Sequence, residues 1–235
     1  RETSELNTLP ESRLSWRHAL EMFETPDLTH ITSEDLESVY EPAEDSFLFL
    51  DAIQEEYEFI KSRKPTICLE IGSGSGVVST FVTKIFKNEL HCMCTDINTR
   101  AAQLTRRTAE KNGVSLEVVV TDLVQGLLPS LERKLDMLLF NPPYVVTPPE
   151  EVGSKGIEAS WAGGDCGRQV IDRLLPLINI LLSPTGVFYM VLIKENKPDE
   201  IADILGKDGF VMSTVLNRRA GPERLSVVKF VRGFS

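Results

Sequence analysis

Four consecutive residues, Asn141-Pro-Pro-Tyr144, carry the strongest chemical signal in the chain. The nitrogen of a planar amide is a poor nucleophile because its lone pair is delocalised. An enzyme that alkylates it must fix the –NH2 geometry and accept its hydrogens, and the carbonyls of the Asn141 side chain and the Pro142 main chain can do both. Pro142 and Pro143 stiffen the turn, and Tyr144 can stack on a flat substrate group. The motif predicts catalysis at an amide or amino nitrogen; a structural turn is the alternative.

A glycine-rich turn, Glu70-Ile-Gly-Ser-Gly-Ser-Gly76, follows an apolar segment and precedes a helical one. Gly72, Gly74 and Gly76 let the main chain approach a ligand closely, and the helix N-terminus offers free N–H donors. Val77 stands where the dinucleotide pattern G-x-G-x-x-G has its third glycine, which weakens a nicotinamide interpretation. A tight turn without a ligand is the alternative.

Two aspartates end the next strand-like segments. Asp96 lies twenty residues after Gly76, where a carboxylate can accept from both hydroxyls of a ribose. Asp122 can accept from the exocyclic amine of an adenine, while the N–H of Leu123 meets a ring nitrogen. Each aspartate alone could be a strand-end or helix cap. Beside the glycine turn, Asp96 is predicted to bind a ribose.

The elements that must position these residues alternate along the chain. Strands are expected at 66–71, 90–96, 116–122, 135–140, 187–193, 210–216 and 225–231, and helices at 46–60, 77–86, 98–111, 170–182 and 198–207. Turns are expected at 183–186 and 217–223. The alternation predicts an α/β three-layer sandwich with a seven-stranded, mostly parallel, Rossmann-like sheet. The last two strands leave no room for a crossover helix, so they are expected to pair antiparallel.

Composition sets the broad class of the protein. The chain has 235 residues, of which 42% are hydrophobic and 26% charged, as in ordinary globular proteins. Residues 1–60 carry 16 acidic and 3 basic side chains, whereas residues 61–235 carry 19 and 22. No basic cluster supports nucleic-acid binding. We predict an acidic, flexible extension at 1–38 and a catalytic domain at 39–235.

Cysteine usage points to a reducing compartment. Cys68, Cys92 and Cys94 lie in apolar runs, and no CxxC pair occurs in the chain. Buried free thiols are expected rather than a disulfide or a metal site. The expected location is the cytoplasm, with the nucleus left open.

Several segments closely resemble the HemK-like release-factor glutamine methyltransferases, a class I S-adenosylmethionine-dependent family whose members share the NPPY motif. The similarity is greatest to the eukaryotic and archaeal branch and runs from about Phe23 to the C-terminus. The segments that carry it are VYEPAEDS at 39–46, LEIGSGSGV at 69–77, CTDIN at 94–98, FNPPYVVTPP at 140–149, GIEASWAGG at 156–164 and IKEN at 193–196.

The resemblance implies a cofactor, S-adenosylmethionine, with S-adenosylhomocysteine as product. Cofactor-binding residues would be Tyr40, Glu44, Ser46, Glu70, Gly72, Gly74, Gly76, Asp96, Ile97, Asp122, Leu123 and Asn141. The substrate would bind at Asn141, Pro142 and Tyr144. It would be the glutamine of a Gly-Gly-Gln motif in a class-1 translation release factor. Histone lysine and DNA adenine are alternative substrates, and a non-catalytic cofactor-binding module is the alternative function.

A partner is also implied by the resemblance. In this branch a small zinc-binding activator subunit adds a strand beside the third strand of the sheet, which is 115–121 in this chain. A long apolar edge strand favours aggregation unless it is covered. A third strand buried on both faces, which needs no partner, is the alternative. Neither a membrane nor nucleic acid is an expected partner.

Overall fold

The computed structural model describes residues 23–87, 89–153 and 156–233. Seven strands form one sheet: β1 (Ile67–Ile71), β2 (His91–Asp96), β3 (Glu117–Val120), β4 (Leu135–Phe140), β5 (Leu182–Leu192), β6 (Phe210–Ala220) and β7 (Glu223–Arg232). Their spatial order is β3-β2-β1-β4-β5-β7-β6. Strands β1 to β5 are mutually parallel, and β7 runs antiparallel to both of its neighbours. The predicted fold class is confirmed.

Helices cover both faces of the sheet. They are α1 (Ser33–Leu36), α2 (Glu44–Glu55), α3 (Tyr57–Ser62), α4 (Val77–Ile85), α5 (Thr99–Lys111), α6 (Leu128–Leu131), α7 (Gln169–Leu181) and α8 (Pro198–Gly206). One hydrophobic cluster joins α2, α3 and α4 to one face of the sheet, and another joins α7 and α8 to the opposite face. Alternate side chains of β1 follow this division, with Cys68 in the first cluster and Leu69 in the second.

Parallel pairing places the carboxyl ends of the inner strands at one edge of the sheet. The glycine turn follows β1, Asp96 ends β2, the segment holding Asp122 follows β3, and Asn141 follows β4. In open α/β sheets, ligands bind in the crevice outside the carboxyl ends of the strands. The topology therefore gathers the four predicted motifs into one crevice.

Two predicted turns are wrong. Residues 183–186 are part of β5, where the register shifts opposite β4: Leu135 pairs with Leu182, but Met137 pairs with Val187. A bulge in β5 accommodates the additional residues between these two pairs, so Pro184 and Gly186 do not end the strand. Residues 217–223 belong mostly to β6 and β7, whose pairing continues to Ala220 and Glu223. Long hairpin strands tolerate polar residues because one of their faces meets solvent.

One predicted helix is divided. The segment at 46–60 forms α2 and α3, separated at Glu56. At this break, the Glu56 carboxylate accepts hydrogen bonds from the Tyr189 hydroxyl at 3.0 Å and from the Lys229 ammonium at 2.5 Å. The long loop after β4 contains three short 3-10 helices, Pro149–Glu151, Ile157–Ser160 and Asp165–Gly167, which the sequence did not indicate.

The described part of the predicted N-terminal extension lies against α5. Residues 23–38 join that helix through the polar pairs Asp27–Asn112, His30–Thr108 and Asp35–Arg107. Ile31 also packs with Val39, Ala101 and Leu104. Residues 1–22 lie outside the described part of the chain, and the domain boundary at residue 39 stays a prediction.

Two further features bear on expectations from the sequence. Among the described helices, none is both long and apolar enough to cross a membrane. Cys68, Cys92 and Cys94 are buried free thiols, whereas Cys166 is partly exposed.

Candidate active site

A cleft lies at the carboxyl ends of the central strands and brings most of the predicted site residues together. Those that line it are Tyr40, Ser46, Glu70, Gly72, Gly74, Asp96, Ile97, Asp122, Leu123, Asn141 and Pro143. Glu44, Gly76, Pro142 and Tyr144 are not part of its lining. The cleft therefore joins the glycine turn at one end to the Asn-Pro-Pro-Tyr turn at the other.

The glycine turn is held in shape by α5 behind it. The Thr105 hydroxyl donates to the Gly74 carbonyl at 3.1 Å, and the Thr108 hydroxyl donates to the Ser75 carbonyl at 2.6 Å. Gly76 has φ +80°, and a Cβ atom there would lie 2.7 Å from the Thr105 Cα. Glycine is therefore required at Gly76 both by the left-handed backbone and by the close approach of α5.

The other two glycines of the turn, Gly72 and Gly74, line the cleft. Gly72 and Gly74 also have positive φ, and a Cβ atom on either would meet no atom within 4 Å. The left-handed backbone, rather than a close contact inside the protein, favours glycine at these two positions, and both line the cleft. A nucleoside cofactor can approach the main chain closely only where no side chain intervenes, as at these two glycines.

Asp96 lines the cleft, and neighbouring main-chain N–H groups orient its carboxylate. The side chain is 8% exposed. One carboxylate oxygen accepts from the Gly74 N–H at 2.9 Å and the other from the Asn98 N–H at 2.8 Å. Burial raises the pKa of Asp96, and these hydrogen bonds act against that shift. A carboxylate has about four acceptor positions, so these bonds do not exhaust its capacity to accept from ligand hydroxyls.

Asp122 has a partner that the sequence did not indicate. The Arg173 guanidinium on α7 forms an ion pair with the Asp122 carboxylate at 2.5 Å, and both residues line the cleft. These residues are 51 positions apart, and no local motif links them. Leu123 beside them has φ +50°, which turns the chain at the end of β3.

Glu70 is a buried acid at the end of β1. Burial raises its pKa to about 8, although hydrogen bonds from Ser79 act in the opposite direction. The Ser79 N–H donates to the Glu70 carboxylate at 3.0 Å, and the Ser79 hydroxyl donates to the same oxygen. Glu70 therefore connects the first turn of α4 to the strand that carries the glycine turn.

The Asn141 side chain has one satisfied end and one free end. Its Nδ2 donates to Asp45 Oδ2 at 2.9 Å, whereas its Oδ1 is buried and has no hydrogen-bond partner within the described chain. An unpaired buried carbonyl costs free energy and marks a place where a donor fits. The Asn141 carbonyl therefore keeps its acceptor capacity for a donor that the described chain does not supply.

The Asn-Pro-Pro-Tyr turn is held from behind by Asn196. This fully buried side chain donates to the carbonyls of Tyr144, Cys166 and Gly167 at 2.8, 2.9 and 3.3 Å, and its Oδ1 accepts from the Ile193 N–H at 2.8 Å. The turn is therefore fixed against the long loop that follows β4.

Tyr40 lines the cleft as expected, whereas Tyr144 does not, and stacking of Tyr144 on a substrate stays a prediction. Tyr144 is 8% exposed, and its hydroxyl donates to Asp45 at 3.4 Å. Burial and the Asp45 charge raise the pKa of Tyr144 and also that of Tyr40, the latter to about 12. Pro142 is buried behind the cleft. Glu44 faces Arg218 at 3.7 Å with a side chain that is 63% exposed.

Three residues that hold the site were absent from the predicted set: Asp45, Arg173 and Asn196. Asp45 and Asn196 lie within the segments 39–46 and 193–196, which carry the family resemblance, so a signal existed for both. Arg173 lies on an ordinary amphipathic helix and had none. In the described ranges, no group of three or more His, Cys, Asp or Glu side chains is arranged to hold a metal ion.

Comparison with known proteins shows that the chain is similar to methyltransferases. The Methyltransferase small domain family matches residues 44–155. Methyltransferase HEMK2 of Homo sapiens is 53% identical over 212 residues, covering 90% of this chain and 98% of the relative. The eRF1 methyltransferase catalytic subunit mtq2 of Schizosaccharomyces pombe is 37% identical over 227 residues, covering 90% and 96%.

A solved methyltransferase structure has a similar fold. It is the E. cuniculi Mtq2–Trm112 complex, described as responsible for methylation of the eRF1 translation termination factor. The matched chain superposes with a TM-score of 0.62 at 25% sequence identity, covering 83% of this chain and 99% of that one.

Proposed function

Since the chain belongs to the HemK-like family of class I S-adenosylmethionine-dependent methyltransferases, we propose that it methylates a glutamine side chain of a translation release factor. It is an enzyme, the catalytic subunit of a heterodimer, and S-adenosylmethionine is its methyl donor. Within the release factor, the target is the amide nitrogen of the glutamine in the Gly-Gly-Gln motif.

One observation carries this proposal: the buried Asn141 Oδ1 has no partner in the described chain although it belongs to a residue that lines the cleft. A glutamine –NH2 group placed there would satisfy that carbonyl. The same cleft holds Gly72, Gly74 and Asp96, which suit an adenosyl group. The residues proposed for the amide nitrogen and those proposed for the methyl donor therefore line one cleft.

The residues of the chain act by orientation. When bound, S-adenosylmethionine supplies an electrophilic methyl group on a sulfonium. Asn141 Oδ1 accepts one N–H of the target amide, and the Pro142 carbonyl is proposed to accept the other. These contacts fix the nitrogen in line with the methyl group and stabilise the positive charge that develops on it. The proton then leaves to solvent, so no strong general base is required.

The decisive experiment measures methyl transfer from labelled S-adenosylmethionine by the chain co-expressed with its small partner subunit. A release factor, its Gly-Gly-Gln variant with Gln→Ala, histone and DNA are offered in parallel. We expect label on the release factor alone, and loss of label with the Gln→Ala variant and with Asn141→Ala. Label on histone or DNA only would overturn the substrate but keep the cofactor site. No label despite cofactor binding would favour a binding module.

The partner is proposed to be a small zinc-binding subunit that extends the sheet at β3. This strand is at one edge of the described sheet, and Val120 on it is 46% exposed, whereas Val118 is 8% exposed. An edge strand with an exposed apolar side chain can pair with a strand of another chain. The opposite edge, β6, exposes Val211 by 56% and offers a matched control.

Co-purification with the partner tests this placement. We expect Val120→Lys to reduce recovery of the subunit at least tenfold, whereas Val211→Lys leaves it unchanged, because a charge cannot be buried cheaply in an interface. The reverse result would move the partner to β6. One zinc per purified heterodimer, measured by atomic emission, would support the zinc-binding assignment. Fluorescent tagging tests the proposed cytoplasmic location against the nuclear alternative.

A further inference from the structure

Asp45, in the first turn of α2, lines the cleft and contacts the Asn-Pro-Pro-Tyr turn. Its side chain is 4% exposed. Asp45 Oδ1 accepts from the Ser46 N–H at 2.7 Å, and Asp45 Oδ2 accepts from Asn141 Nδ2 at 2.9 Å and from the Tyr144 hydroxyl at 3.4 Å. Both oxygens are therefore directed by neighbours, and one of them meets the catalytic amide.

We propose that Asp45 is a positioning residue that determines which end of the Asn141 amide faces the target nitrogen. The inference rests on the proposed amide methylation. An asparagine side chain can present either its carbonyl or its –NH2 group, and the two orientations have nearly the same shape. Only the carbonyl can accept a hydrogen from the target, so the orientation decides whether the site works.

A carboxylate fixes the orientation of the Asn141 amide because it can only accept hydrogen bonds. Facing Asp45, the Asn141 amide must present Nδ2, and its Oδ1 must then point away. The opposite orientation would place a carbonyl oxygen against the Asp45 carboxylate and an –NH2 group against the target –NH2 group. Both contacts would be repulsive. The free Oδ1 of Asn141 is thus the direct result of the Asp45 contact.

Tyr144 strengthens the arrangement. Its hydroxyl donates to the same Asp45 oxygen that accepts from Asn141, and its main-chain carbonyl accepts from the buried Asn196 side chain at 2.8 Å. Asp45 therefore joins α2 to a turn that is already fixed from behind. A purely structural role as an acid at a helix N-terminus would not require contact with Asn141.

Three variants of the heterodimer test the inference. In Asp45→Asn, the new amide can donate to Asn141 Oδ1 and so reverse the Asn141 side chain. We expect kcat for the release factor to fall about 50-fold, with the KM for S-adenosylmethionine within about twofold, since only the reacting amide loses its acceptor. In Asn141→Asp, two carboxylates face each other, and kcat falls at least as far.

The double variant Asp45→Asn with Asn141→Asp restores a donor–acceptor pair in the opposite sense. The amide at position 45 donates to the carboxylate at position 141, whose second oxygen faces the target. We expect kcat to rise about tenfold above that of Asn141→Asp, a coupling that independent structural damage would not produce. Additive losses in the double variant would overturn the inference.

Asp51→Asn is the matched control. Asp51 lies on the same helix, but its carboxylate pairs with Arg218 outside the cleft. We expect its kcat to equal that of the wild-type chain. Equal kcat values for Asp45→Asn and Asp51→Asn would overturn the inference.

A readout without catalysis separates this inference from the proposed function. In the 15N-labelled wild-type heterodimer, the side-chain –NH2 signals of Asn141 are assigned by their loss in Asn141→Ala. We expect one of the two protons to exchange slowly because Asp45 accepts it in a buried place. Fast exchange of both would overturn the inference even if Asp45→Asn does not fold. Slow exchange without methylation of the release factor would overturn the substrate and leave the orientation intact.

Discussion

The cofactor half and the target half of the cleft are built in different ways. In the cofactor half, the glycine turn, Asp96 and Asp122 each lie at or just after a strand end, and the bond from the Gly74 N–H to Asp96 spans 22 residues. In the target half, the Asn141–Asp45 bond spans 96 residues and the Asn196–Tyr144 bond spans 52. The positions of the cofactor-half residues follow from strand order, although the Asp122–Arg173 pair spans 51 residues, whereas the target half depends on contacts between distant segments.

The difference predicts that the target half depends more on single buried side chains. Asn196→Ala leaves the carbonyls of Tyr144, Cys166 and Gly167 without their donor in a buried place. We expect the free energy of unfolding to fall by about 3 kcal/mol, measured by urea denaturation.

Asn98→Ala in the cofactor half is the matched comparison for that change. Asn98 precedes α5, and its side chain accepts from the Arg100 N–H at 2.9 Å and donates to the Ser38 carbonyl at 2.7 Å. Loss of such a cap costs about 1 kcal/mol. Equal losses in the two variants would remove the proposed contrast between the halves.

Gly76→Ala tests whether the cofactor half also has a position that tolerates no change. The new Cβ would lie 2.7 Å from the Thr105 Cα on a backbone with φ +80°. We expect a loss of about 2 kcal/mol in the free energy of unfolding, from strain and displacement of α5. Gly113→Ala, also at positive φ but with no atom within 4 Å, controls for backbone strain alone. Similar losses in both would show that the contact with Thr105 is unimportant.

Glu70→Gln tests the buried acid that connects the glycine turn to α4. Because the folded pKa is raised to about 8, the folded chain keeps a proton that the unfolded chain releases near pH 4.5. The contribution of Glu70 to the free energy of unfolding is therefore largest at low pH. It falls by about 1.4 kcal/mol per pH unit between the unfolded pKa and the folded pKa.

Urea denaturation at pH 6 and pH 7 provides the measurement. The wild-type chain should lose about 1.4 kcal/mol more than Glu70→Gln over that interval, because glutamine keeps an acceptor for Ser79 but does not titrate. Parallel pH dependence in the two proteins would contradict the raised pKa.

Arg173→Gln should have the smallest effect. Its pair with Asp122 is partly exposed, with side-chain exposures of 47% and 29%, and such pairs contribute about 0–1 kcal/mol. We expect the dissociation constant for S-adenosylhomocysteine, measured by calorimetry, to rise less than about fivefold. A larger rise would mean that Asp122 depends on a distant helix, and the cofactor half would resemble the target half.

The same contrast explains which parts of the molecule the sequence predicted. The succession of strands and helices, the antiparallel end of the sheet and the placement of the glycine turn, Asp96 and Asn141 follow from hydrophobic patterns and from motifs at strand ends. Asp45 and Asn196 reach the site only through tertiary packing, and Arg173 has no sequence signal at all. Local patterns also failed at 183–186, where pairing with β4 outweighs the turn preference of proline and glycine.

The contacts of residues 23–38 have a consequence for where the protein can be shortened. Asp27 exchanges two hydrogen bonds with Asn112, at 2.7 and 2.9 Å, and His30 contacts the Thr108 hydroxyl that donates to the Ser75 carbonyl. The segment thus reaches the glycine turn through Thr108, and its last residue, Ser38, lines the cleft and accepts from the Asn98 side chain at 2.7 Å. A chain that starts at residue 39 should bind S-adenosylhomocysteine more weakly than one that starts at residue 23. Amide hydrogen exchange at 23–38 should likewise slow when the cofactor binds.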